Sequence, residues 1–315
     1  MKEPRGPSWR APGRFVVLAL LALPLCGLYG VRAAASTFVD VELQAGTDDN
    51  VGRSEKGSDI EQDRFAGAQA RVGEAVEIGR GTGLSISATL RAVEFRRFRD
   101  LSEVTVGAGV SLKHKFGLGP EAPWIGALGD AEVIDSDSQI RDGERYGLGI
   151  RGGMRIGERW GVVATLRRNW RQADEDEQRL PPNRPVFAGV VPSPRGDVFE
   201  FDDTELSLSA DYQFDNTGLL LLSYSIRDGD VTSTARPNAT IVGAAKAITS
   251  DAAVFGPGRS AYRLGALTHT ASVGFNYPFS DSTSVELGYE YQRTDADAGI
   301  RYDRNLLRLR LLWAY

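Results

Sequence analysis

The sequence predicts an all-β fold, a closed antiparallel up-and-down β-barrel of about twelve strands that crosses a membrane. Three observations predict it: period-two alternation through most of the chain after residue 36, connections that alternate between long and short, and an export-type leader. Gly supplies 36 of 315 residues, more than the ~7% usual in globular proteins, which suits tight turns and close strands rather than long helices. A 42% hydrophobic and 25% charged content excludes a disordered chain. The formal net charge of −5, without a basic stripe, argues against nucleic acid as a partner. One Cys excludes a disulfide framework and a Cys-based zinc site, and two His leave little for His-driven catalysis. Nothing in the sequence calls for a cofactor or a metal.

The leader comes first. Lys2, Arg5, Arg10 and Arg14 precede an apolar run from Phe15 to Val31, and Ala33, Ala34 and Ala35 follow it. This is the pattern of a secretory signal peptide over residues 1–35, with cleavage expected after Ala35. Pro24, Gly27 and Gly30 interrupt the run, which disfavours an anchoring helix. Leu25 stands where a lipoprotein signal needs a small residue, so Cys26 is expected to leave with the leader.

The remainder, 36–315, reads as one barrel domain. Leu206, Leu208, Ala210, Tyr212 and Phe214 interleave with Glu205, Ser207, Ser209, Asp211 and Gln213; Val285, Leu287, Tyr289 and Tyr291 interleave with polar residues in the same way. Alternation puts one set on each face of a strand, whereas a helix gains nothing from it. Twelve segments follow this rule, at 37–45, 64–78, 84–98, 102–116, 124–136, 145–156, 160–172, 201–214, 218–229, 264–279, 283–294 and 301–315. In the third, the apolar phase slips between Leu90 and Phe95, which predicts a bulge. The fifth is poor in large side chains.

Long connections fall at 46–63, 137–144, 173–200, 230–263 and 295–300, and short ones at 79–83, 117–123, 157–159, 215–217 and 280–282; 99–101 is short where a long one is due. Long loops at one end and tight turns at the other are the habit of membrane barrels. An even strand count then places both termini on the turn side. Unpaired backbone polar groups cost several kcal/mol in hydrocarbon, so the sheet must close, with 37–45 hydrogen-bonded to 301–315. Twelve strands imply a narrow, polar, partly obstructed lumen.

The last segment carries a further signal. Counting back by twos gives Tyr315, Trp313, Leu311, Leu309 and Leu307, with Arg308 and Arg310 on the other face. This resembles the C-terminal signature of bacterial outer-membrane β-barrel proteins, an amphipathic final strand ending in an aromatic residue, with Tyr315 in the place usually held by Phe. The resemblance is architectural and extends over 36–315 without selecting a subfamily. It implies recognition by the barrel-assembly machinery and, as surroundings, membrane lipids and lipopolysaccharide. Trp124, Tyr146, Trp160, Trp170, Phe214, Tyr277, Phe279 and Trp313, near strand ends, are candidates for interfacial girdles.

The polar face carries more charge than a packed core tolerates. Bases gather at Arg91, Lys113, Lys115, Arg151, Arg155 and Arg167, and acids at Asp40, Glu42, Glu205, Asp211, Glu286 and Glu290. Opposed basic and acidic walls would set a transverse field and tune ion selectivity; equally, the charges can pair across the lumen and plug it. The leading expectation is a porin-like passive pore for small hydrophilic or charged solutes. The alternative is a non-conducting structural or adhesive barrel, or an accessory to export of a surface polymer. A lipid-modifying enzyme is the third class. Against it, His114 and His269 fall on the apolar phase with Phe116 and Ala271 two residues on, and no G-x-S-x-G or H-E-x-x-H motif occurs. Gly79–Gly83 lies between two strands and reads as a hairpin turn, not a phosphate loop. The loop 230–263 holds an apolar stretch, Ala239–Ile248, that either folds inward, meets a partner or stays exposed. The Pro-rich acidic loop 173–200 is expected to be solvated, and its carboxylates, with Asp48, Asp49 and Asp59, are weak candidates for divalent ions bridging lipopolysaccharide phosphates.

Overall fold

The computed structural model describes residues 35–174, 198–215 and 217–315. The leader and most of the loop 173–200 lie outside the described residues.

Twelve strands form the wall: β1 (Ala35–Asp48), β2 (Asp63–Gly79), β3 (Thr82–Phe95), β4 (Glu103–Lys115), β5 (Trp124–Ser136), β6 (Gly143–Ile156), β7 (Trp160–Ala173), β8 (Phe201–Gln213), β9 (Leu219–Ala235), β11 (Ser260–Pro278), β12 (Thr283–Ala296) and β13 (Arg301–Ala314). Each pairs antiparallel with the next, and β13 returns to β1 with Asp40 opposite Ala314 and Asp48 opposite Leu306. Two backbone bonds between Val39 and Tyr315, each 2.8 Å, extend the seam to the chain end. Ala35, the first described residue, and Tyr315 both lie at the turn end.

The faces sort as the alternation requires. Along β13, Leu307, Leu309, Leu311 and Trp313 are 49%, 53%, 42% and 41% exposed, and Leu287 and Tyr289 on β12 are 55% and 43% exposed. The outward row continues through Leu148, Ile150, Leu206 and Leu208. An apolar belt of this extent needs lipid, since monomeric soluble proteins rarely expose contiguous patches beyond a few hundred Å². At the turn end the belt is rimmed by aromatic contacts: Trp160–Tyr212 at 4.9 Å, Tyr212–Phe214 at 5.0 Å, Tyr277–Phe279 at 5.8 Å and Trp313–Tyr315 at 6.2 Å. Tyr146 stacks on Trp170 at 5.9 Å toward the loop end.

The turns are short where backbone freedom allows. Gly81 has φ +73°, and a Cβ there would stand 2.8 Å from the Lys115 carbonyl, so the β2–β3 hairpin has room only for glycine. Between β3 and β4 a single 3-10 turn (Arg99–Leu101) closes the short loop-end connection.

The structure corrects several expectations. The bulge between Leu90 and Phe95 is absent: β2 and β3 pair without a shift from Phe65↔Phe95 to Glu77↔Gly83, and the irregularity falls at Glu77/Gly79. Phe95 keeps the inward phase and meets the Phe65 ring at 5.8 Å, so the apparent slip is a large apolar residue on the lumen side near the mouth. β9 runs to Ala235 and β11 starts at Ser260, each beyond its expected end. Within the connecting segment, Ala239–Ala244 is a helical turn (α1), Ala247–Ser250 a thirteenth strand (β10) paired to β11, and Ala252–Phe255 a second helical turn (α2). Asn238 starts α1 by accepting the Ile241 amide on its side chain at 3.0 Å.

Among the described residues, the two buried apolar clusters both sit at the loop end. Val231, Ala235, Ile241, Tyr262, Leu264 and Ile300 form one. Val198, Phe199, Ala247 and Ala261 form the other. Deeper in the barrel most inward side chains are polar or charged, with Trp124 and Leu221 among the apolar exceptions.

Candidate functional site

The lumen divides into an occupied loop end and a charged turn end. At the loop end, residues 236–259 reach every other loop. Asp251 takes a two-pronged bond from Arg141 of the β5–β6 loop (3.2 and 2.8 Å) and the Thr234 hydroxyl at 2.7 Å. Arg236 and Arg259 converge on Asp59 of the β1–β2 loop at 3.2 and 3.0 Å. Phe255 meets Phe98 of the β3–β4 connection at 4.9 Å. Ala247 packs with Val198 and Phe199 before β8, and Ile241 with Ile300 before β13. In the order of the ring, the β3–β4 turn lies across the mouth from the β9–β11 hairpin that carries this segment. The Phe98–Phe255 contact therefore spans the opening, and 236–259 caps the barrel. Within the apolar stretch 239–248, Ile241, Ala244, Ala245, Ala247 and Ile248 pack into the loop-end clusters, while Ala239, Thr240, Gly243 and Lys246 are exposed.

These contacts also account for the loop carboxylates. Asp48 pairs with Arg304 at 2.5 Å, Asp49 accepts from Asn305 at 2.7 and 2.6 Å, and Asp59 is taken as above. The Asp48 and Asp59 carboxylates are buried in these pairs and serve the fold, which corrects the divalent-ion expectation for those two; Asp49 is exposed. Among the described residues no cluster of His, Cys, Asp and Glu has a metal-binding arrangement.

Below the cap, neighbouring strands neutralise many of the lumen charges. Of the expected basic wall, Arg91 binds Glu103 at 3.0 Å and Arg167 binds Asp130 at 2.6 Å. The Arg167 guanidinium crosses over Gly147, where any Cβ would collide with it, so this glycine opens the route from β7 to β5. Of the expected acidic wall, Glu290 pairs with Arg308 at 2.6 Å, Glu286 with Arg310, and Glu42 with the same Arg310 at 3.9 Å. Arg145 and Glu132 add a further pair. The structure therefore replaces two continuous opposed walls with local pairs plus a remainder. On the acidic side the remainder is Asp40, Glu205 and Asp211. Glu205 stands in register between Arg167 and Arg227, but these turn to Asp130 and, at 3.8 Å, to Asp203. Asp40 is opposite Arg71, whose guanidinium lies 5.1 Å from the Phe38 ring centre instead.

The basic remainder is Lys113 and Lys115 on β4 with Arg151 and Arg155 on β6. No described carboxylate lies within ion-pair distance of any of the four. Lys113 and Arg151 flank Gly126 in register, and Trp124 lies beside both, 4.4 Å from the Lys113 Nζ and 5.6 Å from the Arg151 guanidinium carbon. The ring leans over Gly153, where a Cβ would come within 2.8 Å of it. Arg155 donates to the Glu158 carbonyl at 2.6 Å and to Gln213 at 3.5 Å. A cavity of about 260 Å³ opens here, lined by Lys113, Lys115, Trp124, Arg155 and Asp211. A second, of about 210 Å³, lies by Asp211, Glu286, Arg308 and Arg310.

Trp124 is thus a lumen residue, which corrects its assignment to an interfacial girdle. Its strand is so rich in Gly and Ala that the phase of a terminal Trp is poorly marked in the sequence; the facing Gly152-Gly153 pair is the signal that makes room for it. The two histidines stay on the outer face: His114 Nδ1 meets the Thr82 hydroxyl and His269 Nδ1 the Tyr224 hydroxyl, both at 2.8 Å. Leu307, Leu309, Leu311, Trp313 and Tyr315 form the outward edge of the closing strand.

Among solved structures, the chain is similar to the COG4313 outer membrane channel from Pseudomonas putida F1, with a TM-score of 0.55 and 13% identity over 92% of this chain and 98% of that one. It also matches the NanC porin (TM-score 0.44, 8% identity, 87% and 98% covered) and the translocator domain of the autotransporter NalP from Neisseria meningitidis (TM-score 0.40, 12% identity, 91% of each). No family model and no curated protein matches the chain. The fold is that of an outer-membrane β-barrel.

Proposed function

We propose that this barrel is a porin-like passive channel for small hydrophilic or charged solutes, seated in the outer membrane of a Gram-negative bacterium and narrowed at its loop end by residues 236–259. The observation that carries this reading is the turn half of the lumen, where cavities of about 260 and 210 Å³ are lined by charged side chains. Such groups need water, and a hydrated lumen bounded by lipid is a conduit. On this reading residues 1–35 direct export and are removed, and the β13 edge from Leu307 to Tyr315 is what the assembly machinery reads.

The cap supports a second reading, a barrel held shut as a scaffold or adhesin. Planar-bilayer recording separates the two. The channel reading expects small current steps from the intact protein and steps several-fold larger when 239–256 are replaced by a short Gly-Ser linker. Silence from both proteins, each folded by gel mobility before and after boiling, overturns it in favour of the scaffold.

A further inference from the structure

The four unpaired bases at the turn end have an arrangement that the channel reading alone does not require. Elsewhere in the lumen Arg91, Arg145, Arg167, Arg304, Arg308 and Arg310 each find a carboxylate on the adjacent or the next strand, while Arg71 lies over the Phe38 ring and Arg171 donates to the Arg141 carbonyl. Lys113, Lys115, Arg151 and Arg155 find no such carboxylate. Their strands flank β5, so the four cations are held within a few strand widths of one another. The strand between them contributes Gly126 and Trp124 rather than an acid. The Arg151 Nε is buried and has no hydrogen-bond partner among the described residues. Asp211 lines the same cavity on the far side and is not within ion-pair distance of the four; Glu121 and Glu158 lie in the adjoining turns and pair with none of them. Like charges gathered without counter-ions are costly to hold together, and the cost falls when an anion occupies the space between them.

We propose that this vestibule is a binding site for a compact oxyanion with two or more negative charges, of the phosphate or polycarboxylate class. Lys113 and Lys115 supply mobile ammonium donors and Arg155 a planar guanidinium suited to two oxygens at once; Arg151 does not line the cavity and adds its charge from beside Trp124. Trp124 holds Lys113 and Arg151 beside its ring without neutralising them. The cavity of about 260 Å³ has the volume of about nine waters at ~30 Å³ each, which suits pyrophosphate or citrate.

The site rests on the lumen-facing orientation behind the channel reading, but its test does not need conduction. Calorimetric titration of the detergent-solubilised barrel with pyrophosphate and with citrate is expected to show saturable binding. Lys113→Gln with Arg151→Gln should weaken it at least tenfold, and Lys115→Gln alone by less. Gel mobility before and after boiling confirms that each variant is a barrel. In bilayers the same double variant should move the reversal potential in a salt gradient toward cation preference. Unchanged titrations for the double variant, or no heat with either anion, overturn the site even if the barrel conducts. Binding that the double variant abolishes, in a barrel that passes no current, supports the site while the channel reading fails. Preference for pyrophosphate over citrate, or the reverse, assigns the oxyanion class.

Discussion

Asp251 is the residue whose removal tests the cap most directly. Its side chain is 1% exposed, Arg141 is 11% exposed, and the two share a two-pronged ion pair. Burial holds the Asp251 carboxyl above the usual carboxylate range and pulls Arg141 below its ordinary value, although each opposes the other's shift. Desolvation therefore outweighs attraction at this pair. Removing one partner leaves a buried charge uncompensated, at a cost of about 3–5 kcal/mol, whereas removing both in favour of apolar side chains is close to neutral. Arg141 keeps some access to water, so the lower figure applies, and Asp251→Ala should weaken the cap by about 3 kcal/mol. At about 1.4 kcal/mol per decade, this raises the opening constant by about two orders of magnitude. Amide exchange reads it: protection across 247–255 should fall by about a hundredfold, while the mid-strand amides of β12 and β13 stay as they were. Arg141→Met with Asp251→Met should restore most of that protection. Exchange unchanged in the single variant, or as fast in the double as in the single, would refute the view that this pair locks the mouth.

Two further predictions follow from burial and from the lipid face. The half-buried Asp142 carboxyl is pushed up to about 6 by burial, against the Ser136 amide that donates to it at 2.7 Å. Between about pH 4 and 6 the folded chain then holds a proton that the unfolded chain has lost. Stability of the β5–β6 loop should therefore decline as pH rises through that window and level off above it, by about 1–1.5 kcal/mol once solvent screening halves the full effect. Asp142→Asn, which retains the accepting oxygen, should remove the slope in amide exchange recorded from pH 4 to 7. On the outer face, Leu309→Arg places a charge on the exposed apolar row of β13 and should cost about 2–4 kcal/mol in urea unfolding from lipid vesicles. A loss below 0.5 kcal/mol would mean that this row does not meet acyl chains.

The wall of the barrel was legible in the sequence because its cause is local. Leu206 to Phe214 alternate with polar residues on one strand, and a half-buried strand needs no more than that to declare itself. Closure followed from the cost of an open edge in lipid, and the seam between Asp40–Asp48 and Leu306–Ala314 is where that argument places it. The interior was less legible because its contacts depend on register between strands that are distant in sequence. Arg167 finds Asp130, two strands away across Gly147, and not Glu205 directly opposite it. No spacing along the chain encodes that choice. The same holds for the cap: Ala239–Ile248 advertises an apolar segment, but its destination is set by Asp59, Phe98, Arg141 and Ile300, which come from four separate connections. The slip near Phe95 misled for a related reason, since an inward aromatic at the mouth meets packed protein where an inward residue deeper in the barrel meets water.

The two ends of the lumen can accordingly be altered independently. At the loop end, buried pairs and apolar clusters fix 236–259 in the mouth, so these residues act on passage chiefly by occupying space. At the turn end, four cations without counter-ions stand beside open cavities, so they act on passage by charge. In a water-filled lumen a field of this kind fades within about 8–10 Å at physiological ionic strength, less than the length of the strands that separate it from the cap. Cutting back 239–256 should thus change the size of the current steps and leave the ratio of anion to cation permeability nearly as it was. Lys113→Gln with Arg151→Gln should do the converse, and the two sets of changes combined should add. A cap deletion that by itself abolished ion preference would show that selection happens at the mouth and that size and charge are not set at separate ends of the lumen.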